Sequence, residues 1–245
     1  MRDSTLEGRR LLVVGASSGI GLAIGRAAAA RGARVAFAAR RRERLEQAAK
    51  ASRGVAVEGD VRSEAECERL VSVARSALGG LDVLVYAAGV APLARLLESD
   101  AALWRDTFAT NVFGAAAVTR AALPHLAGGL AAYLSSDVVG RPREGCGTYA
   151  ATKAALDEML RIWRLEHPEL RFLRIALGAT LGTEAGRDYD PQRTRALFEA
   201  WRARGAAPEG FLQAQDLGEL IAEVLATCLA HPGAAVEELL VRPPT

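Results

Sequence analysis

VVGASSGIGLAIG, residues 13–25, holds the reading that decides the fold. Its first half belongs to RLLVVGA (10–16), a short apolar run ending in glycine, which predicts a buried strand. Its second half continues as IGLAIGRAAAARG (20–32), which predicts a helix stopped by Gly32. Gly15, Gly19 and Gly21 fall between the two. Glycines at such a turn let a backbone approach a pyrophosphate, and the helix start offers free N–H groups and a positive dipole end. The spacing is GxxxGxG rather than the GxGxxG of the long-chain dinucleotide fingerprint. Alone it is a weak signal, since an ordinary strand-to-helix turn rich in Gly and Ser looks the same.

The pattern then repeats along the chain. ARVAFAAR (33–40), VAVEGDV (55–61), LDVLVYAAG (81–89), GGLAAYLSS (128–136), LRFLRIAL (170–177) and AAVEELLV (234–241) read as further strands. Between them lie helical patterns at 42–54, 63–80, from about Asp100 past Asn111, from Tyr149 to about Glu166, and at 214–230. Ser63 and Glu66 have capping-box spacing. Strands alternating with helices of ten or more residues imply parallel βαβ units, and strands this apolar are expected when helices cover both faces. The expectation is an α/β fold: one doubly wound, Rossmann-like domain over residues 1–245. Its sheet would be mostly parallel and of about seven strands. Ligands in such sheets bind beyond the carboxyl ends of the strands.

Bulk properties narrow the function classes. A net charge of +2 argues against nucleic acid or a membrane surface as partner. No apolar run reaches the ~18 residues of a spanning helix. Cys67, Cys146 and Cys228 are dispersed and lack a CxxC pair, so no metal site is expected. The N-terminal MRDSTLEGRR lacks the apolar stretch of a signal peptide. These features predict a soluble, cytoplasmic protein.

The second strand ends at Ala39, where many NAD-binding folds place an acidic residue for the ribose hydroxyls. Arg40, Arg41 and Arg42 follow instead, opening a helix at the end where positive charge is unfavourable. An anion would relieve them. The 2′-phosphate of NADP(H) suits guanidinium groups, so NADP(H) is expected in preference to NAD(H). Pairing of these arginines with Glu43 or Glu46 on a solvated surface is the plainer alternative.

GTYAATKAAL (147–156) carries one of the chain's two lysines, Lys153, four residues after Tyr149. Residues four apart share a helix face. A tyrosine of pKa ~10 is a poor acid–base group at neutral pH. A neighbouring ammonium is expected to lower that value and suit the phenol to proton exchange with a carbonyl or hydroxyl oxygen. With so few tyrosines and lysines, chance placement gives this spacing in only about 3% of chains.

Together these stretches resemble the short-chain dehydrogenase/reductase family in its classical size class, over nearly the whole chain. GASSGIG (15–21) resembles the family's cofactor turn, GDV (59–61) its adenine-contacting segment, YAAG (86–89) its NNAG, and YAATK (149–153) its YxxxK. Asn111 in TNVFG matches the family's helix asparagine, and Ser136 lies thirteen residues before Tyr149, as its catalytic serine does. The resemblance implies a catalytic tetrad of Asn111, Ser136, Tyr149 and Lys153. Tyr149 would exchange the proton as hydride moves to or from the nicotinamide. Ser136 would bond the reacting oxygen, Lys153 would hold the nicotinamide ribose, and the Asn111 carbonyl would anchor a relay water. It further implies cofactor contacts from Gly15, Ser17, Ser18, Gly19, Ile20, Gly21, Arg40, Arg41, Asp60, Val61, Ala87, Ala88, Gly89, Tyr149, Lys153 and Thr183.

The chain departs from the family at three places. Tyr86 and Ala87 replace two asparagines, Leu177 replaces a proline, and Gly182 takes a threonine's place, with Thr183 one residue later. The stretch from about 179 to 213 is expected to cover the substrate, with Arg187, Tyr189, Arg193, Phe198, Trp201 and Phe211 available for that role or for packing on the core. The implied activity is hydride transfer between NADP(H) and a carbonyl or secondary alcohol of a small molecule, by a homodimer or homotetramer. A non-catalytic NADP-binding sensor or scaffold on the same fold is the alternative. A sugar-nucleotide epimerase is disfavoured by the short chain after the sixth strand.

Overall fold

The computed structural model describes residues 5–126, 128–187 and 189–244. The ends of the expected 1–245 unit, residues 1–4 and 245, lie outside the described residues. Seven strands form one parallel sheet: β1 (Arg10–Val14), β2 (Arg34–Ala39), β3 (Val55–Glu58), β4 (Val83–Tyr86), β5 (Leu130–Ser136), β6 (Arg171–Leu177) and β9 (Glu238–Val241). Their order is β3-β2-β1-β4-β5-β6-β9, and every pairing is parallel. The chain steps outward from β1 to β3, then returns to place β4 on the other side of β1. The reversal between β1 and β4 opens a crevice at their carboxyl ends, where such sheets bind ligands.

The period of two along each strand divides the core between two faces. Leu11, Val13, Val35, Phe37, Val85, Leu173 and Ile175 point to one face. There they meet Ile24 of α1 (Gly19–Ala30) and Ile221 and Leu225 of α8 (Ala214–Ala230). Leu12, Val14, Leu84, Tyr86, Tyr133 and Phe172 point to the other. They meet Leu70 of α3 (Glu64–Leu78), Val118 of α5 (Gly114–Ala122), and Leu156 and Leu160 of α6 (Gly147–Glu166). Many of these side chains have no exposed surface. Each contributes roughly 1.5–3 kcal/mol by burial, so the two sheet faces carry most of the stability.

Helix starts follow their sequence signals. Ser63 Oγ accepts from the Glu66 N–H ahead of α3. Glu66 does not complete a reciprocal box, because its carboxylate is engaged by Arg69. Asp100 Oδ1 accepts from the Leu103 N–H at 2.8 Å and starts α4 (Ala101–Phe108). The long helix expected after Asp100 is interrupted. A π-helical turn, Ala109–Phe113, separates α4 from α5 and contains Asn111. Such turns insert a residue into the helix and re-aim its side chains.

The 179–213 stretch is tied at its base. β7 (Thr180–Leu181) pairs with β8 (Leu212–Gln213), and the Leu212 N–H bonds to the Ala179 carbonyl at 2.9 Å. Within it, α7 (Pro191–Ala203) starts at Asp190, whose Oδ1 accepts from the Arg193 N–H at 2.7 Å. The remaining helix, α2 (Arg42–Ser52), follows β2 and ends at Arg53 in the left-handed region. Among the described residues no helix is long and apolar enough to cross a membrane.

Candidate active site

The glycine-rich turn lies in the β1–β4 crevice. Gly15 sits at φ +89°, and a Cβ there would collide with the backbone of Ala88. A Cβ on Gly21 would lie 2.5 Å from the Gly15 carbonyl oxygen and 3.0 Å from the Ala87 side chain. The turn can therefore press onto Ala87 and Ala88 only because both positions lack a side chain. Gly15 N–H and Ala16 N–H donate to the Ala38 carbonyl, and Ala87 N–H to that of Val14. Helix α1 begins after Ser18 with no side-chain cap and no acidic residue in its first turn. Its free N–H groups and positive end remain available to an anion. This bare backbone cradle fits a dinucleotide pyrophosphate.

Polar groups crowd the rim beside it. Arg41 donates to Ser17 Oγ at 2.8 and 3.1 Å and to Ser18 Oγ at 2.7 Å. Arg41 and Arg44 both grip the Glu184 carboxylate, which also accepts from Ser18 Oγ at 3.0 Å. Arg44 and then Arg41 hold the Glu184 carboxyl at about 2, well below the usual carboxylate range. Arg42 instead pairs with Glu46 at 2.8 Å on the exposed side of α2, the solvated alternative for that one arginine. Arg40 is exposed and lines an open depression with Glu58, Gly59 and Asp60. The Asp60 carboxylate is bound by the Arg62 guanidinium and backbone N–H, which lower its pKa. Val61 is buried in the core beneath.

Thr183 returns to the same place. Gly182, at φ +74°, turns the chain after β7, and Thr183 then packs against Gly19. A Cβ on Gly19 would meet Thr183 Cα at 3.4 Å. Ile20, in the first turn of α1, packs partly buried against the core.

The four residues of the expected tetrad gather at the other end of the crevice. Ser136 closes β5; its hydroxyl accepts from the Val138 N–H at 3.3 Å and lies close enough to the Tyr149 phenol to lower its pKa. Lys153 Nζ donates to the Leu134 carbonyl at 2.7 Å and lies 5.7 Å from the Tyr149 ring centroid. Asn111, fully buried, braces the chain after β4. Its Oδ1 accepts from Val90 N–H at 2.8 Å, and its Nδ2 donates to the Val90 carbonyl and to Thr152 Oγ1, both at 2.9 Å. Thr152 Oγ1 in turn donates to the Tyr149 carbonyl at 2.7 Å. Gly89 fits between, since a Cβ there would stand 3.4 Å from Asn111 Oδ1 and 3.7 Å from Lys153 Nζ.

Tyr149 departs from the expectation of an acidified phenol. Burial pushes its pKa up to about 12 against the opposing hydrogen bond from Ser136, and Tyr189 and Cys146 add to the rise. Lys153 does not offset this. Burial lowers its own pKa to about 8, partly countered by Asp157, and it spends a hydrogen bond on Leu134. At neutral pH the pair is a neutral phenol beside a buried ammonium.

Tyr86, which replaces the family's first asparagine, has found a specific role. Its hydroxyl donates to the Thr110 carbonyl at 2.6 Å, and its ring stacks on Tyr133 at 6.3 Å. In the 179–213 stretch, Trp201 is buried and donates from Nε1 to the Glu144 carbonyl at 2.8 Å, and Tyr189 donates to the Ala91 carbonyl. Arg193 reaches Glu98 at 3.5 Å, Phe198 contacts Trp201 at 4.7 Å, and Phe211 is exposed. Sequence reasoning missed Arg44, Thr152 and Glu184. Arg44 shares the Arg41 face of α2 by its i+3 spacing, but nothing local marked Glu184. Among the described residues no group of three His, Cys, Asp or Glu side chains could hold a metal.

The family model for short chain dehydrogenases matches residues 9–194. 11-beta-hydroxysteroid dehydrogenase 1A of Arabidopsis thaliana is 35% identical over 173 residues, 67% of this chain and 50% of that protein. Galactitol 2-dehydrogenase (L-tagatose-forming) of Cereibacter sphaeroides is 35% identical over 165 residues, 64% of each chain. The chain spans about half the length of the first curated relatives it matches. Among solved structures, a short chain dehydrogenase from Burkholderia cenocepacia in complex with NADP superposes with a TM-score of 0.83 at 28% identity, over 97% of both chains. An alcohol dehydrogenase from the archaeon Thermococcus sibiricus, complexed with 5-hydroxy-NADP, gives 0.81 at 28% identity, over 96% of both. By this match, the parallel sheet and these relatives, the chain belongs to the short-chain dehydrogenase/reductase family.

Proposed function

We propose that the protein is an NADP(H)-dependent oxidoreductase acting on a carbonyl or secondary alcohol of a small organic molecule, with Tyr149 as the general acid/base. The observation that carries this reading is the half-buried Tyr149 ring at the carboxyl end of the sheet, with the buried Lys153 ammonium 5.7 Å from its centroid and the buried Ser136 beside it. The nicotinamide, when bound, donates or accepts the hydride. The rest of the task falls to the chain. Gly15, Gly19, Gly21, Ala87, Ala88 and Gly89 leave room for the cofactor against the backbone, and Asp60 and Val61 border its adenine end. Lys153 and Thr183 hold its nicotinamide half.

In reduction Tyr149 donates its proton to the substrate oxygen while Ser136 hydrogen-bonds that atom. A phenol at about 12 is fully protonated at neutral pH, so the donor is always loaded. An alkoxide is a much stronger base than a phenolate, so the transfer runs downhill. Oxidation needs the phenolate, and burial makes that form costly until positive charge is brought to bear. Asn111 holds Val90 and the start of the Tyr149 helix in place, and its backbone carbonyl anchors the water that reloads the acid.

Preference for NADP(H) rests on Ala39 at the place of a ribose-binding acid and on the set of Ser17, Ser18, Arg41 and Arg44, which already holds a carboxylate. The solved relatives in complex with NADP and 5-hydroxy-NADP support it. The 179–213 stretch covers the substrate in this reading. Association as a homodimer or homotetramer uses the helices around Asn111 and after Tyr149, where Phe113, Ile162 and Leu165 are exposed. The cytoplasm is the proposed location. The test is a panel of ketones, aldehydes and alcohols assayed with NADPH, NADP, NADH and NAD. Turnover with a clear NADPH advantage is expected. Cofactor binding without turnover on any substrate would support a sensor or scaffold.

A further inference from the structure

We infer that Glu184 is a built-in competitor for the cofactor's 2′-phosphate, an internal anion that must leave the arginine site before a phosphate can enter it. The inference rests on the NADP(H) reading above and deepens it.

Glu184 does not belong to the element whose charges it neutralises. It lies on the segment after β7, 140 positions along the chain from Arg44, which meets it from α2. Three guanidinium groups surround its carboxylate: Arg41 and Arg44 in direct hydrogen bonds and Arg187 at 3.6 Å. Ser18 Oγ supplies a further donor at 3.0 Å. Among the described residues, Arg41 and Arg44 form no other ion pair. Two guanidinium groups in direct hydrogen bonds and a hydroxyl donor therefore converge on one negative charge. The set is richer in charge and in donors than a carboxylate requires. It matches a phosphate, which carries nearly two charges and three acceptor oxygens at neutral pH.

The two anions exclude one another. The Ser18 hydroxyl has one proton to give, and Glu184 takes it. A phosphate placed among Arg41, Arg44 and Ser18 would meet the Glu184 carboxylate at contact distance, and like charges there repel strongly. The tethered carboxylate is also present at high effective concentration. A phosphate-bearing cofactor binds only the fraction of molecules in which Glu184 is displaced, and its apparent affinity falls by that fraction. A cofactor without the 2′-phosphate has no need to displace it. Glu184 thus sets how strongly the protein distinguishes the two cofactors. Displacement also moves the residue next to Thr183, which packs on Gly19, so phosphate binding and the start of the 179–213 stretch are linked in both directions.

The experiment is a calorimetric titration of the full chain and of Glu184→Gln with adenosine 2′,5′-bisphosphate and with 5′-AMP. No nicotinamide or turnover is involved. The variant is expected to bind the bisphosphate about tenfold more tightly than the wild type and 5′-AMP within about twofold, as when a competitor held in most molecules is removed. Glu184→Asp, which keeps the charge on a shorter arm, is expected to fall between them and guards against a poorly folded amide variant. Unchanged or weaker bisphosphate binding by both variants, with the wild type still preferring bisphosphate over 5′-AMP, overturns the competitor role alone. A wild type indifferent to the 2′-phosphate overturns the NADP(H) preference and this inference with it.

Discussion

Tyr86 donates its hydroxyl to the carbonyl of Thr110 at 2.6 Å, so the last residue of the central strand pins the helical turn next to Asn111. A Cβ on Gly114 would stand 2.7 Å from that hydroxyl, which shows how closely the helix is drawn in. Tyr86, at a place where the family carries asparagine, thus ties the strand to the helix through its own hydroxyl. Tyr86→Phe keeps the ring and its stacking on Tyr133 but leaves the Thr110 carbonyl without this donor. Unsatisfied buried groups cost roughly 1–3 kcal/mol. Urea unfolding should show a loss in that range. A variant as stable as the wild type would mean that the bond contributes nothing net.

Tyr149→Phe removes the exchangeable proton and little else, because the half-buried ring keeps its place beside Ser136. Turnover should fall by about 10²-fold or more, the scale of positioned acid–base catalysis. NADPH affinity, read by fluorescence, should stay near the wild-type value. Retained turnover would remove Tyr149 from the chemistry. Lys153→Arg tests its neighbour. A planar fork is a poor replacement for a compact ammonium that reaches both Leu134 and the crevice, so activity should drop although the charge remains.

Arg40 and Arg41 are adjacent in sequence but separate in space. Arg41 turns to Ser17, Ser18 and Glu184, and Arg40 stays exposed beside Asp60. Arg41→Ala should therefore weaken NADPH by about tenfold or more, the worth of a charge-assisted hydrogen bond, and NADH far less. Arg40→Ala should have the smaller effect on NADPH. Equal losses for both cofactors in Arg41→Ala would separate this residue from the phosphate.

What the sequence made legible was local. The βαβ rhythm follows from periodicities of two and 3.6, and the parallel sheet bears it out; the glycine turn falls between β1 and α1, and Tyr149 and Lys153 both lie on α6. The Asn111 turn was less visible, because a π insertion changes the register without changing composition. Thr152 was hidden for another reason. It lies inside YAATK, where its neighbours draw attention, and its role exists only once Asn111 arrives from a different helix. Glu184 was unreadable, since its hydrogen-bond partners are 140 and more positions away and one acid in a Gly-rich stretch has no local signature. The pKa of Tyr149 was misjudged because charge proximity can be inferred from spacing, whereas burial cannot. Burial is the larger cause here.

The buried ammonium of Lys153 should be visible in the pH dependence of stability. Its pKa is about 8 in the folded protein, against an ordinary value near 10.4. Below about 8 the proton is bound in both states, and the folded state bears the full cost of a charge taken from water. Between about 8 and 10.4 the folded protein has released the proton while the unfolded chain still holds it. Stability then rises with pH. Tyr149 works in the opposite sense: its folded value of about 12 lies above the ordinary ~10, so its contribution is present below about 10 and is lost toward 12. Lys153→Met separates the two. The variant should gain about 3 kcal/mol relative to wild type below pH 8, less the cost of leaving the Leu134 carbonyl without its donor. That advantage should shrink steadily between pH 8 and 10.4 and then stay flat, while the decline from Tyr149 and the other tyrosines with raised folded values persists in both proteins. Denaturant unfolding at half-unit pH steps reads the difference curve directly. A difference that does not change across that window would mean that Lys153 titrates at its ordinary value. The ammonium would then be far better solvated than its burial implies.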